Sequence, residues 1–180
     1  MSNLEQLRDR LPEFAKDTRL NLGAVINASG HPGLSETQVL GIALASAYAT
    51  RVAAVIAAIE GEASGKVDAA TLEAAKAAAT IMAMNNIYYR FTHLVNDAEL
   101  RQLPAKLRMN VIGNPGIPKT DFELMSMAVS AVNGCGMCME SHAHELVKAG
   151  VSKPGVQSAV RIAAVLNAAA QAMAISQGQS

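Results

Sequence analysis

The 180-residue chain contains no tryptophan, three tyrosines, three phenylalanines and only two cysteines. So few rings leave no platform on which bases could stack, which argues against a reader of single-stranded nucleic acid. Basic and acidic side chains number 15 each, so the formal net charge is zero. That balance provides no electrostatic footprint for nucleic acid or for an anionic membrane. Alternating β-branched runs bounded by turns are missing, and the strand signal goes with them. No uninterrupted apolar stretch has the length that a bilayer requires. Residues 1–10 are polar and charged and lack the apolar segment of a secretory signal. Together these absences predict a cytoplasmic protein, and in that compartment thiols stay reduced. Two cysteines three residues apart then point to catalysis or metal binding rather than to a structural staple.

What the chain has is alanine and helix punctuation. Hydrophobic residues reach 51%, and much of that share is alanine, which loses no side-chain entropy in a helix and lets helix axes approach. The expected fold is all-α, a compact multi-helix domain over residues 1–180. Residues 4–9 read as a short helix, and Pro12 opens a second to about residue 28. Gly30-His31-Pro32-Gly33 is a break. Ser35 caps a helix to about Tyr48, with Gln38 in the capping-box position and a bend near Thr50. A helix over 53–64 stops at Gly65. Asp68 caps another over 69 to about 85, which continues after a kink to about 96. Pro104 is expected to start a short element, and Asn114-Pro115-Gly116-Ile117-Pro118 to form a rigid turn. Thr120 with Glu123 reads as a capping box on a helix to about Val132. Asn133-Gly134 breaks it, and the next helix runs from the cysteines to Gly150. Ser152 caps a last helix to about Ser176, and residues 177–180 read as a loose tail.

Sliding the chain by 84 residues superimposes two stretches, about 35–97 and 119–176, without a gap. Leu40 meets Leu124, Ser46-Ala47 meets Ser130-Ala131, and the caps Asp68 and Ser152 coincide. The order of caps and turns indicates an internal helical repeat. Under this offset Cys135 falls on Arg51, Cys138 on Ala54, Glu123 on Val39 and His142 on Ala58. The four polar residues vanish together from the first half, which reads as a working site on a scaffold that does not need them.

Each spacing has a chemical reason. Cysteines at i and i+3 at a helix start lie close enough for a disulfide. A helix N-terminus stabilises the thiolate, which is the nucleophile. His142 follows Cys138 by four residues, so its imidazole lies beside the sulfur and can take the thiol proton. Glu123, on the preceding helix, can orient the histidine and stabilise its charged form. Other readings stand beside these. Glu123 is also the third residue of the expected capping box. His142 is also a surface helix histidine. Cys135, Cys138, His142 and His144 could be a zinc set, although histidines two apart on a helix diverge. His144 and Glu140 read as surface positions, His31 and His93 as incidental, and the nine methionines as core filler.

These four residues at these spacings resemble the active-site motif of the alkylhydroperoxidase D family, within the carboxymuconolactone decarboxylase-like superfamily. The likeness extends along the chain. It includes Leu11-Pro12-Glu13-Phe14-Ala15-Lys16-Asp17, Met84-Asn85-Asn86-Ile87-Tyr88-Tyr89-Arg90 and Leu107-Arg108-Met109-Asn110. It also includes Asn114-Pro115-Gly116-Ile117-Pro118-Lys119, leading into Phe122-Glu123-Leu124. The resemblance implies a homotrimeric all-α disulfide reductase with peroxidase activity and no bound cofactor or metal. It implies reduction by a dihydrolipoyl group on a 2-oxoacid dehydrogenase component, with electrons passing to a peroxiredoxin or directly to an organic hydroperoxide. By match to the motif, Cys138 becomes the sulfenic acid, Cys135 is its proton donor and disulfide partner, and Glu123 with His142 forms the proton relay. Some members carry Ser-His between the cysteines. This chain has Gly136-Met137, so a second relay histidine is missing. The rivals are a lactone decarboxylase of the same superfamily, which has no need of a redox pair, and a zinc-binding non-enzymatic module.

Overall fold

A computed structural model of the chain describes residues 2–177. Met1 and the last three residues of the expected tail lie outside the described residues. Within them every regular element is helical: α1 (Asn3–Asp9), α2 (Lys16–Val25), α3 (Glu36–Thr50), α4 (Ala53–Ala63), α5 (Ala69–Leu94), α6 (Ala98–Gln102), α7 (Asn110–Gly113), α8 (Lys119–Val132), α9 (Gly136–Lys148) and α10 (Lys153–Gln177), with short 3-10 turns at Glu13–Ala15 and Ala28–Gly30.

The caps explain most boundaries. Ser35 and Gln38 satisfy each other's backbone N–H groups at the start of α3, a full capping box. Asp68 Oδ1 accepts from the Thr71 N–H at 2.8 Å to open α5. Ser152 Oγ accepts from the Gly155 N–H at 3.1 Å to open α10. The helix after Asp68 continues past residue 85, as expected, and runs unbroken to Leu94. Two expectations fail. Pro104 starts nothing: α6 ends before it, capped by Asp97, whose Oδ1 accepts from the N–H groups of Glu99 and Leu100. The Thr120 capping box does not form. Pro118, whose fixed φ suits the entry to a helix, takes the N-cap of α8 with no side-chain bond. Thr120 therefore lies inside the helix, and Glu123 is released for another partner.

Two helices form the centre. Nine consecutive residues are buried in α3, from Val39 to Ala47, and nine in α8, from Phe122 to Ser130. A helix buried on every side has no solvent face, and these two pack on each other between α5 and α10. Small residues make this approach feasible: Ala43, Ala45, Ala75, Ala78, Ala128, Ala159 and Ala163 all sit in the core. Phe122 is the single phenylalanine of that core, as the scarcity of aromatics requires. Helix α10 is long and apolar enough by composition to cross a membrane, yet half of its apolar window is buried inside the fold. It packs against α3, α8 and α2 as a core helix.

The bounds follow the 84-residue offset. Helices α3, α4 and α5 shifted by 84 fall on 120–134, 137–147 and 153–178, within one or two residues of α8, α9 and α10. His31 is not incidental. It is buried, its Nε2–H donates to the Val25 carbonyl at 2.6 Å, and its Nδ1 accepts from Arg161 at 3.2 Å, which ties the end of α2 to α10.

Candidate active site

The turn between α8 and α9 presents the cysteines. Gly134 has φ +69°, the left-handed region that glycine enters without a Cβ clash. The turn is anchored from α5. Asn86 Nδ2 donates to Ser130 Oγ at 2.9 Å, Asn133 Nδ2 donates to Asn86 Oδ1 at 2.9 Å, and Arg90 donates to the Asn133 carbonyl at 2.8 Å. Asn86 is 1% exposed, so its amide spends both ends on holding this turn. The sequence reading missed these anchors; paired asparagines in the middle of an otherwise apolar helix were the available signal.

Cys135 then takes the N-cap of α9, and its Sγ accepts from the Cys138 N–H at 3.3 Å. The two cysteines are joined in a disulfide, with their Cα atoms 5.3 Å apart. Their surroundings differ. Cys135 is fully buried against the turn, whereas Cys138 keeps 8% exposure and forms part of the wall of a cavity of about 370 Å³. The helix N-terminus therefore acts directly on Cys135, and the cavity gives access to Cys138.

His142 lies one turn beyond Cys138 and borders the same cavity. Its Nδ1 pairs with Glu123 Oε2 at 2.7 Å, with both side chains largely buried. A carboxylate in the wholly buried stretch of α8 requires a partner, and His142 provides it. A carboxylate oxygen accepts, so Nδ1 carries the hydrogen and Nε2 of the neutral ring keeps its lone pair. The structure thus brings Cys135, Cys138, His142 and Glu123 together. It leaves out His144 and Glu140, which are exposed on α9, and His93, exposed on α5. Among the described residues no group of three or more His, Cys, Asp or Glu side chains gathers as a metal site.

The rest of the wall is mostly apolar and contains three thioethers: Met82, Tyr89, Met109, Ile112 and Met137. Asn85 and Ser141 complete it. Met137, where a relay imidazole was absent from the sequence, instead contributes to this lining. The first-half positions matching Cys138, Ser141 and His142 are Ala54, Ala57 and Ala58 on α4, which with Asn3, Gln6 and Leu7 of α1 line a smaller cavity of about 150 Å³.

The Carboxymuconolactone decarboxylase family model matches residues 98–177, the half of the chain that carries all four site residues. Whole-length relatives are more specific. Alkyl hydroperoxide reductase AhpD of Coxiella burnetii is 57% identical over 168 residues, covering 93% of this chain and 95% of the relative. The protein of the same name from Hyphomonas neptunium is 54% identical over 172 residues, 96% of this chain and 94% of the relative. That of Rhodospirillum centenum is 55% identical over 168 residues, 93% and 89%. Identity at this level over nearly the full length of each partner shows that the chain belongs to the alkyl hydroperoxide reductase AhpD family of oxidoreductases.

Proposed function

We propose that the protein reduces organic hydroperoxides through a Cys135–Cys138 dithiol centre, is recharged by a dihydrolipoyl group, and regenerates a partner peroxiredoxin. The observation that carries this reading is the asymmetry of the pair: one sulfur in a cavity beside a Glu-oriented histidine, the other buried on a helix N-terminus. In the reduced enzyme His142 takes the Cys138 proton. The Cys138 thiolate attacks the outer peroxide oxygen, the O–O bond breaks, and the alcohol leaves with a proton. The resulting sulfenic acid condenses with the Cys135 thiol, giving the disulfide and water. Glu123 holds the imidazole and offsets its charge while it carries the proton.

Reduction runs through the same opening. A dithiol attacks the accessible Cys138 sulfur, and Cys135 leaves as a thiolate held by the helix N-terminus, a good leaving group. The second thiol of the donor then releases Cys138. A dihydrolipoyl arm on a 2-oxoacid dehydrogenase component suits this step, because an extended apolar chain matches a cavity walled by methionines. Thiols that must return to the reduced state fit a cytoplasmic setting. Helix α5 also carries an apolar stripe of Ile87, Phe91 and Leu94, which are 66%, 49% and 71% exposed. Their i, i+4, i+7 spacing makes one face, which supports burial between copies of the chain in the homotrimer of this proposal. A decarboxylase reading has no use for a redox pair.

The test is hydroperoxide consumption with dihydrolipoamide as reductant. Cys138→Ser and Cys135→Ser are each expected to abolish turnover. Wild-type cycling by either variant would rule out the dithiol cycle.

A further inference from the structure

We propose that Asn85 is the group that binds the hydroperoxide oxygens beside Cys138, an inference that rests on the peroxidase reading above. Asn85 is 5% exposed and forms part of the wall of the Cys138 cavity. Its Oδ1 is inaccessible and has no hydrogen-bond partner among the described residues. The neighbouring Asn86 is also buried, but its amide is committed at both ends to Ser130 and Asn133. Adjacent residues of one helix thus differ: one amide holds the turn, and the other is unspent and borders the cavity. A buried polar group left unpaired opposes folding, and natural proteins keep few of them.

The chemistry of the ligand fits the amide. A hydroperoxide has an O–H donor on its outer oxygen and a lone-pair acceptor on its inner oxygen. A primary amide has the complementary carbonyl acceptor and NH₂ donor, and its terminal torsion is soft enough to turn either toward the cavity. When the Cys138 thiolate attacks, an S–O bond forms to the outer oxygen and the O–O bond breaks. The electron pair goes to the inner oxygen, which leaves as an alkoxide and is protonated to the alcohol. An amide N–H aimed at that inner oxygen strengthens its bond as charge builds, which is where a preorganised donor accelerates a reaction. Reduction of the disulfide by a dithiol involves no such oxygen, so Asn85 acts in one half of the cycle only.

This split makes the test. Pre-reduced Asn85→Leu is mixed with tert-butyl hydroperoxide and the single-turnover oxidation of Cys138 is followed; separately, the oxidised variant is reduced with dithiothreitol. The peroxide step is expected to slow by about 100-fold, the typical effect of removing one transition-state donor. The dithiothreitol step should lose far less than the peroxide step, and the melting temperature should stay the same or rise, because the unpaired buried carbonyl is gone. A peroxide step at the wild-type rate, or an equal loss in both half-reactions, would overturn the proposal. If Asn85→Leu does not fold, Asn85→Ala must show the same split, and its failure to do so overturns the proposal equally. A wild type inert to the peroxide would instead remove the reading beneath it.

Discussion

At the scale of single residues, the Glu123–His142 bond does most to support the reactivity proposed for Cys138. Its 2.7 Å contact through Nδ1 leaves Nε2 as the basic nitrogen of the neutral ring. If that nitrogen takes the Cys138 proton, His142→Ala should cost most where the thiol is still protonated. We expect the peroxide step to fall roughly 100-fold near neutral pH, within the usual range for a lost general base. The loss should shrink well above the ordinary cysteine range, where the thiol ionises unaided. A rate–pH profile of the variant checks this, and a pH-independent loss would assign His142 an orienting role. The spacings among Cys135, Cys138 and His142 were legible because they are properties of one helix. The pairing of Glu123 was only half legible. Its position three residues after Thr120 is a capping signal in any sequence, and only the preference of Pro118 for the N-cap separates the two uses. Asn85 and Asn86 could not be told apart from their order in the chain, since what divides them is which element packs over each.

At the scale of elements, the site depends on a turn as much as on a helix. Gly134 is left-handed at φ +69°, and an L side chain there costs about 1–2 kcal/mol. Gly134→Ala should therefore lower unfolding stability by about that amount in a urea titration. An unchanged midpoint would contradict the assigned role of this turn. In the first half the matching turn places Arg51 in the same region, at φ +62°, with no cysteine pair to position. Caps written in adjacent residues, such as Ser35 with Gln38, were readable from sequence. The segment around Pro104 was not. Its short helices α6 and α7 lie on either side of the proline: Asp97 caps α6, whereas α7 has no side-chain cap and rests on the packing of Val111 and Ile112 against the core.

At the scale of the whole molecule, the 84-residue offset was visible because helix lengths and caps are local quantities. The consequence of the offset was not visible. Helix α1 packs beside α4 in the first half and leaves a cavity of about 150 Å³ at Ala54, Ala57 and Ala58, while the second-half face opens into a cavity of about 370 Å³ at Cys138, a difference created by long-range packing. The apolar stripe on α5 belongs to this scale too. The proposed homotrimer has three times the 18.8 kDa chain mass, and Phe91→Glu, which places charge on the stripe, should shift the species toward monomer in light scattering. A wild type that is monomeric at micromolar concentration would contradict the assembly.

In the proposed cycle Cys138, and not Cys135, meets the peroxide. Cys135→Ser protein, reduced and exposed to one equivalent of organic hydroperoxide, cannot close the disulfide, so a dimedone adduct can be located by peptide mass spectrometry. A sulfenic acid adduct on Cys138 is expected, formed more slowly in Cys135→Ser,His142→Ala. An unlabelled Cys138 in Cys135→Ser, with Cys135 labelled instead in Cys138→Ser, would contradict it.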